Sequence, residues 1–142
     1  MSNFKTNTYG FTLIETVVTL AVLLIGILAI VGIFPLALKI NKSAEQTTIA
    51  TNLAQAKIEE MFYLNYENID LGTIEAKHRL SSDQANPFYY YQRQTVTEYV
   101  DGDLEYSVAE TGIKKITVTV FWHSPLLSLE KNTSLMLLIS KK

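Results

Sequence analysis

The chain has 142 residues, no cysteine, and 12 basic against 14 acidic side chains, a net charge of −2. That balance gives nucleic acid nothing to bind electrostatically, because the longest basic runs are the pairs Lys114-Lys115 and Lys141-Lys142. The lack of cysteine excludes a disulfide staple and thiolate chemistry, and the length leaves room for one domain beside an anchor.

Residues 1–10 are short and polar, with Lys5 as their only basic side chain. Gly10-Phe11-Thr12-Leu13-Ile14-Glu15 follows, and from Val17 to Leu38 no residue carries a charge. As helix this uncharged run spans roughly 33 Å, enough for a bilayer core of about 30 Å. A secretory signal has an apolar core of only about 7–15 residues and a small-residue cleavage site beyond it. Lys39-Ile40-Asn41-Lys42 offers no such site. A plain signal anchor accounts for the length but not for Glu15 inside the apolar register. A carboxylate there costs on the order of 3 kcal/mol in lipid unless it is paired, which makes it a functional residue by default.

Gly10 to Glu15 and the apolar run behind them resemble the leader junction of type IV prepilins and type II secretion pseudopilins. The resemblance implies a leader over residues 1–10 and a transmembrane and assembly helix over 11–38. An extracytoplasmic head, which includes the helix continuation, would occupy 39–142. It also implies that a prepilin peptidase cleaves between Gly10 and Phe11 and methylates the new amine of Phe11. Glu15, one turn on, would then neutralise the amine of a neighbouring subunit as helices slide together in lipid, which lowers the penalty of a lone buried charge. Pairing with its own amine is the local alternative. Lys39 and Lys42 flank the far end of the span, so charge counting does not orient it. The head is placed outside the inner membrane by the resemblance.

Gly26, Gly32 and Pro35 interrupt the membrane half. Pro35 removes the backbone bond to Val31, so the sequence predicts a kink there, either a point that loosens on assembly or a tolerated membrane proline. The helix should continue from Ser43 to Leu64, a stretch free of Gly and Pro and rich in Ala, Gln and Glu. Ala50, Ala54, Ile58, Met61 and Phe62 form an apolar stripe, with Leu53 at its border and Lys57 cutting in near that edge. Residues 51–60, leading to Tyr66-Glu67-Asn68-Ile69, are similar to the post-anchor helix of minor pilins of the V type and minor pseudopilins of the I type.

Asp70-Leu71-Gly72 ends the helical region, and residues 81–87 read as loop. The remainder reads as β. Phe88–Val100 and Ile113–Trp122 are rich in aromatics, Val and Thr, and Ser134–Ser140 offers a further strand. Asp101-Gly102 predicts a two-residue hairpin turn with positive φ at Gly102, and Thr111-Gly112 the next turn. Ile116, Val118, Val120 and Trp122 alternate with Thr117, Thr119 and Phe121, as in a half-buried strand. The expected fold is α+β and pilin-like: one long N-terminal helix packed on an antiparallel sheet of about four strands.

Catalytic and metal constellations find little support. His78 and His123 are the only histidines, and neither has a ligand neighbour at a useful spacing. Asp101, Asp103 and Glu105 carry oxygens suited to Ca²⁺, although a hairpin turn explains them without an ion. Tyr89, Tyr90 and Tyr91 are either an exposed contact patch or residues on both faces of a strand. No phosphate loop or nucleophile elbow occurs. Together with the resemblance, which implies a filament subunit, this predicts a non-enzymatic protein without cofactor or metal. Its partners by resemblance are prepilin peptidase, other pilin or pseudopilin subunits, the inner-membrane assembly platform and membrane lipid. The competing reading is a single-pass anchored extracytoplasmic binding or sensor domain.

Overall fold

A computed structural model describes residues 10–124 and 129–141. The chain divides into two compact units, one ending at Leu38 and one beginning at Lys39. A single α-helix, α1, runs from Leu13 to Phe62 and passes through Pro35 without interruption. It is followed by strands β1 (Gly72–Arg79), β2 (Gln92–Val100), β3 (Tyr106–Ser107), β4 (Ile113–His123) and β5 (Glu130–Ser140). All pairings are antiparallel, in the order β1-β2-β4-β5, with β3 also paired to β2.

In the second unit the head part of α1 packs on one face of this sheet. Ala50 and Ala54 are fully buried, and Met61 nearly so, against Ile116, Val118, Val120 and Trp122 of β4. Two alanines at the centre of the contact keep the helix close to the sheet, and the β-branched side chains of β4 fill the space beneath. Ile49, Leu53 and Ile58, with Leu135, Leu137 and Ile139 of β5, close the flanks. The period-two pattern of β4 thus predicts its inward face correctly. Phe62 does not join this core: it is 65 % exposed in the last helical turn and meets Tyr63 edge to face at 6.1 Å.

The described sheet has five strands, in keeping with the expected antiparallel sheet of about four, and three local expectations change. The turn after β2 is not a two-residue hairpin. Asp101 N–H donates to Glu105 O, Leu104 N–H donates to Asp101 O, and it is Leu104 that has positive φ, 66°. This is a three-residue loop that turns and then steps through the left-handed region, so Gly102 is not the residue under strain. The Asp101 carboxylate shapes the loop by accepting from the Asp103 and Glu105 N–H groups, at 3.0 Å each.

Thr111-Gly112 joins no hairpin, because β3 pairs with β2 and not with β4. The segment carries the chain across the end of β2, where the Thr111 hydroxyl donates to Val100 O and Gly112 takes a φ of +79°. Residues 87–90 form a 3₁₀ turn, not the start of a strand. Asn86 caps it by accepting from Phe88 N–H at 2.9 Å, and Pro87 stands at its first position, where a missing N–H costs nothing. β1 is the strand that sequence patterning misses: in Thr-Ile-Glu-Ala-Lys-His-Arg only Ile74 and Ala76 alternate before the pattern turns charged, and the pairing with β2 is broken by register shifts.

Candidate functional site at the amino-terminal segment and the head

Gly10, Phe11 and Thr12 precede the helix in non-helical backbone and are exposed. The Gly10–Phe11 bond therefore lies outside the helical hydrogen-bond ladder, whose first bond here runs from Thr16 N–H to Thr12 O at 3.2 Å. A Cβ placed on Gly10 would meet nothing within 4 Å. The fold itself has no need of glycine at this position.

Thr12 acts as the helix N-cap, its hydroxyl accepting from Glu15 N–H at 3.3 Å. Thr12-Leu13-Ile14-Glu15 has the spacing of a capping box, and Glu15 stands in the first turn, where a carboxylate meets the positive end of the helix dipole. Sequence reasoning left this local role unread, although Thr followed three residues later by Glu carries the signal. The Glu15 carboxylate makes no ion pair or side-chain hydrogen bond within the described residues. Its charge thus has no answer among the described residues. Residues 1–9, the bulk of the expected leader, lie outside the described residues.

Beyond Glu15, α1 contains a window of mean hydropathy 3.0, none of it buried within the chain. Val22, Ile25, Leu28, Ile30, Ile33 and Phe34 are each half or more exposed. An apolar surface of this size cannot face water, so lipid or other helices must cover it. The chain carries one helix long and apolar enough to cross a membrane among its described residues.

In the head, Lys114 is buried beneath the turn after α1 and Glu75 is partly buried beside Arg93, and neither was read from the sequence. Lys114, at the start of β4, is 5 % exposed and donates to Tyr66 O at 2.8 Å and Ile69 O at 2.7 Å, with its ammonium 4.2 Å from the Tyr66 ring centre. It ties the turn after α1 to the sheet. Glu75 of β1 holds Arg93 in a two-pronged pair at 2.9 Å and accepts from the Thr95 hydroxyl at 2.8 Å. Burial pushes the Glu75 carboxyl up, but the Arg93 and Thr95 hydrogen bonds and the nearby cations Arg93 and Lys57 outweigh it and hold the group below its ordinary value.

The three consecutive tyrosines separate. Tyr91 is core, at 4 % exposure, while Tyr90 is exposed and stacks edge to face on Tyr89 at 5.4 Å. His78 lies 3.4 Å from Glu75 by Nε2 and against Ala76 O by Nδ1, and His123 is opposite Glu130 in the β4–β5 register. Among the described residues no three His, Asp or Glu side chains are grouped to hold a metal.

A family model described as the prokaryotic N-terminal methylation motif matches residues 5–31. Neither a curated protein nor a solved structure matches the chain.

Proposed function

We propose that this chain, a processed pilin-like protein by its N-terminal methylation motif, is a minor pilin or minor pseudopilin. Its helix would leave the inner membrane with the assembly platform and enter a type IV pilus or a type II secretion pseudopilus. The motif match over residues 5–31 carries the reading. The motif implies processing by prepilin peptidase and assembly with other pilin subunits, and with the apolar helix it supports anchoring by a single span. Its family is structural and not enzymatic.

The residue roles in this reading are specific. Gly10 supplies the compact residue at the cut, Phe11 the methylated amine, and Glu15 the carboxylate that meets the amine of the next subunit. Pro35 is the point where the helix bends. Two observations support the roles of Gly10 and Glu15: a glycine that the described fold does not require, and a first-turn carboxylate with no partner among the described residues. Because Glu15 keeps a charge that must be met by a subunit above, the chain sits below a tip and does not form its cap.

The Thr12 N-cap and the first-turn position of Glu15 favour one other reading, in which Glu15 only starts the helix of a tethered domain that stays alone in the bilayer. Glu15→Gln separates the two, because glutamine keeps the capping geometry and removes the charge. Co-expression with a prepilin peptidase should remove about ten residues and add one methyl group, read by intact mass. Gly10→Val should stay full length. Glu15→Gln should be processed yet absent from sheared filaments. An unprocessed wild-type chain would reject the filament reading, and normal incorporation of Glu15→Gln would reject the charge-pairing role.

A further inference from the structure

On the head's own part of α1, Lys42, Glu45, Gln46 and Ile49 face the 3₁₀ turn across a cleft of about 350 Å³, whose far wall is Pro87, Tyr90 and Tyr91. The turn is held from several sides. Tyr91 is core, Asn86 caps the turn at Phe88 N–H, and Tyr91 N–H donates to Phe88 O at 3.1 Å. The Arg79 guanidinium lies 4.2 Å from the centre of the Tyr89 ring. This scaffold nonetheless leaves two aromatics outside: Tyr90 is 63 % exposed and Phe88 42 %. Glu45, the acid on the cleft wall, is answered by Lys42 at 3.0 Å and so does little to repel an anionic surface.

Lys39 opens the head unit and is the first charged residue after the uncharged run, so in an anchored chain it marks the edge of the hydrocarbon core. At about 1.5 Å per helical residue, Lys42 lies about 4–5 Å from Lys39 and Ile49 about 15 Å. These are the greatest heights either residue can have above Lys39, whatever the tilt of the helix. Headgroups add about 5–8 Å on each side of the core, so the cleft starts inside their layer. Tyrosine settles at this level of a bilayer because its ring is apolar and its hydroxyl polar. We infer that the lipid surface itself covers this turn: the head rests on the membrane that anchors it, with Phe88 and Tyr90 set among the headgroups. Two rings alone bind a bilayer weakly, but the span holds them beside it and makes the contact intramolecular in effect. The inference rests on single-span anchoring and not on entry into a filament.

The full chain in lipid discs of phosphatidylethanolamine and phosphatidylglycerol, with its aromatic rings isotope-labelled, gives a direct test by nuclear magnetic resonance. Cross-relaxation from lipid protons should reach the rings of Phe88 and Tyr90 but not that of Tyr63, which is 85 % exposed just past the end of α1. A water-soluble gadolinium chelate should broaden Tyr63 and spare the other two. Phe88→Ser combined with Tyr90→Ser should open the amides of residues 86–91 to the chelate. Lipid contacts along residues 17–38 but none to the two rings would overturn the inference, leave the anchor standing and give this face to a polypeptide. No lipid contacts anywhere would remove the anchor and the inference with it. Equal lipid contact at Tyr63, or unchanged shielding of 86–91 in the double variant, would also overturn it.

Discussion

Replacing Lys114 by methionine tests whether the buried ammonium holds the turn after α1 to the sheet. The side chains are similar in length, so the change leaves little void and removes the charge and its donors. Two opposing effects follow. Relief from desolvation favours methionine, by an amount that in other buried charges reaches several kcal/mol. Against it, Tyr66 O and Ile69 O lose charge-assisted bonds of about 1.5–3 kcal/mol each, and a cation–ring contact of about 1 kcal/mol disappears. The carbonyls stay buried under the turn, so we expect a net loss of about 3 kcal/mol. For a head of this size that lowers the midpoint by roughly 10–20 °C. Thermal unfolding of the full chain in detergent, followed by Trp122 fluorescence, measures it. Lys115→Met is the matched control: its ion pair with Glu98 is partly exposed on the opposite face, and its loss should cost about 0.5 kcal/mol. If Lys114→Met melts with Lys115→Met, desolvation outweighs the bonds and the reasoning fails.

Acid should weaken the head through Glu75. Its folded carboxyl lies below the ordinary 4.5, so the stability it contributes is complete above that value and is lost as pH falls through the lower, folded one. Glu75→Gln should flatten the acid side of a stability–pH curve, and an unchanged acid limb would contradict the assignment. Gly112→Ala should cost about 1 kcal/mol or more because its φ is positive, whereas Gly102→Ala should be close to neutral; denaturant midpoints compare them. Leu104→Gly should be neutral or stabilising within about 1 kcal/mol, since glycine relieves the left-handed backbone that leucine tolerates poorly. A destabilised Leu104→Gly variant would mean that the leucine side chain, half exposed, contributes more than its backbone costs.

The amino-terminal segment was legible in the sequence because its chemistry is local. The Thr12 N-cap, equally local, was left unread, and only the structure showed that a side chain at Gly10 would meet nothing. The uncharged run and the carboxylate of Glu15 at its edge are properties of neighbours along the chain. The same holds for β4, whose alternating β-branched residues can face only one way on a half-buried sheet. Tertiary structure decided what depends on residues far apart. β1 has only Ile74 and Ala76 as apolar side chains among its polar and charged ones, and becomes a strand because β2 offers it an edge. Whether Asp101-Gly102 or Leu104 absorbs the turn depends on how β3 meets β2, and Thr111-Gly112 becomes a crossover because β4 pairs on the other side of β2. Lys114 and Lys115 are adjacent and chemically identical, yet one is enclosed beneath a turn and the other lies on the opposite face. A strand sends neighbouring side chains to opposite sides, and only the packed helix and its turn determine which side is the interior.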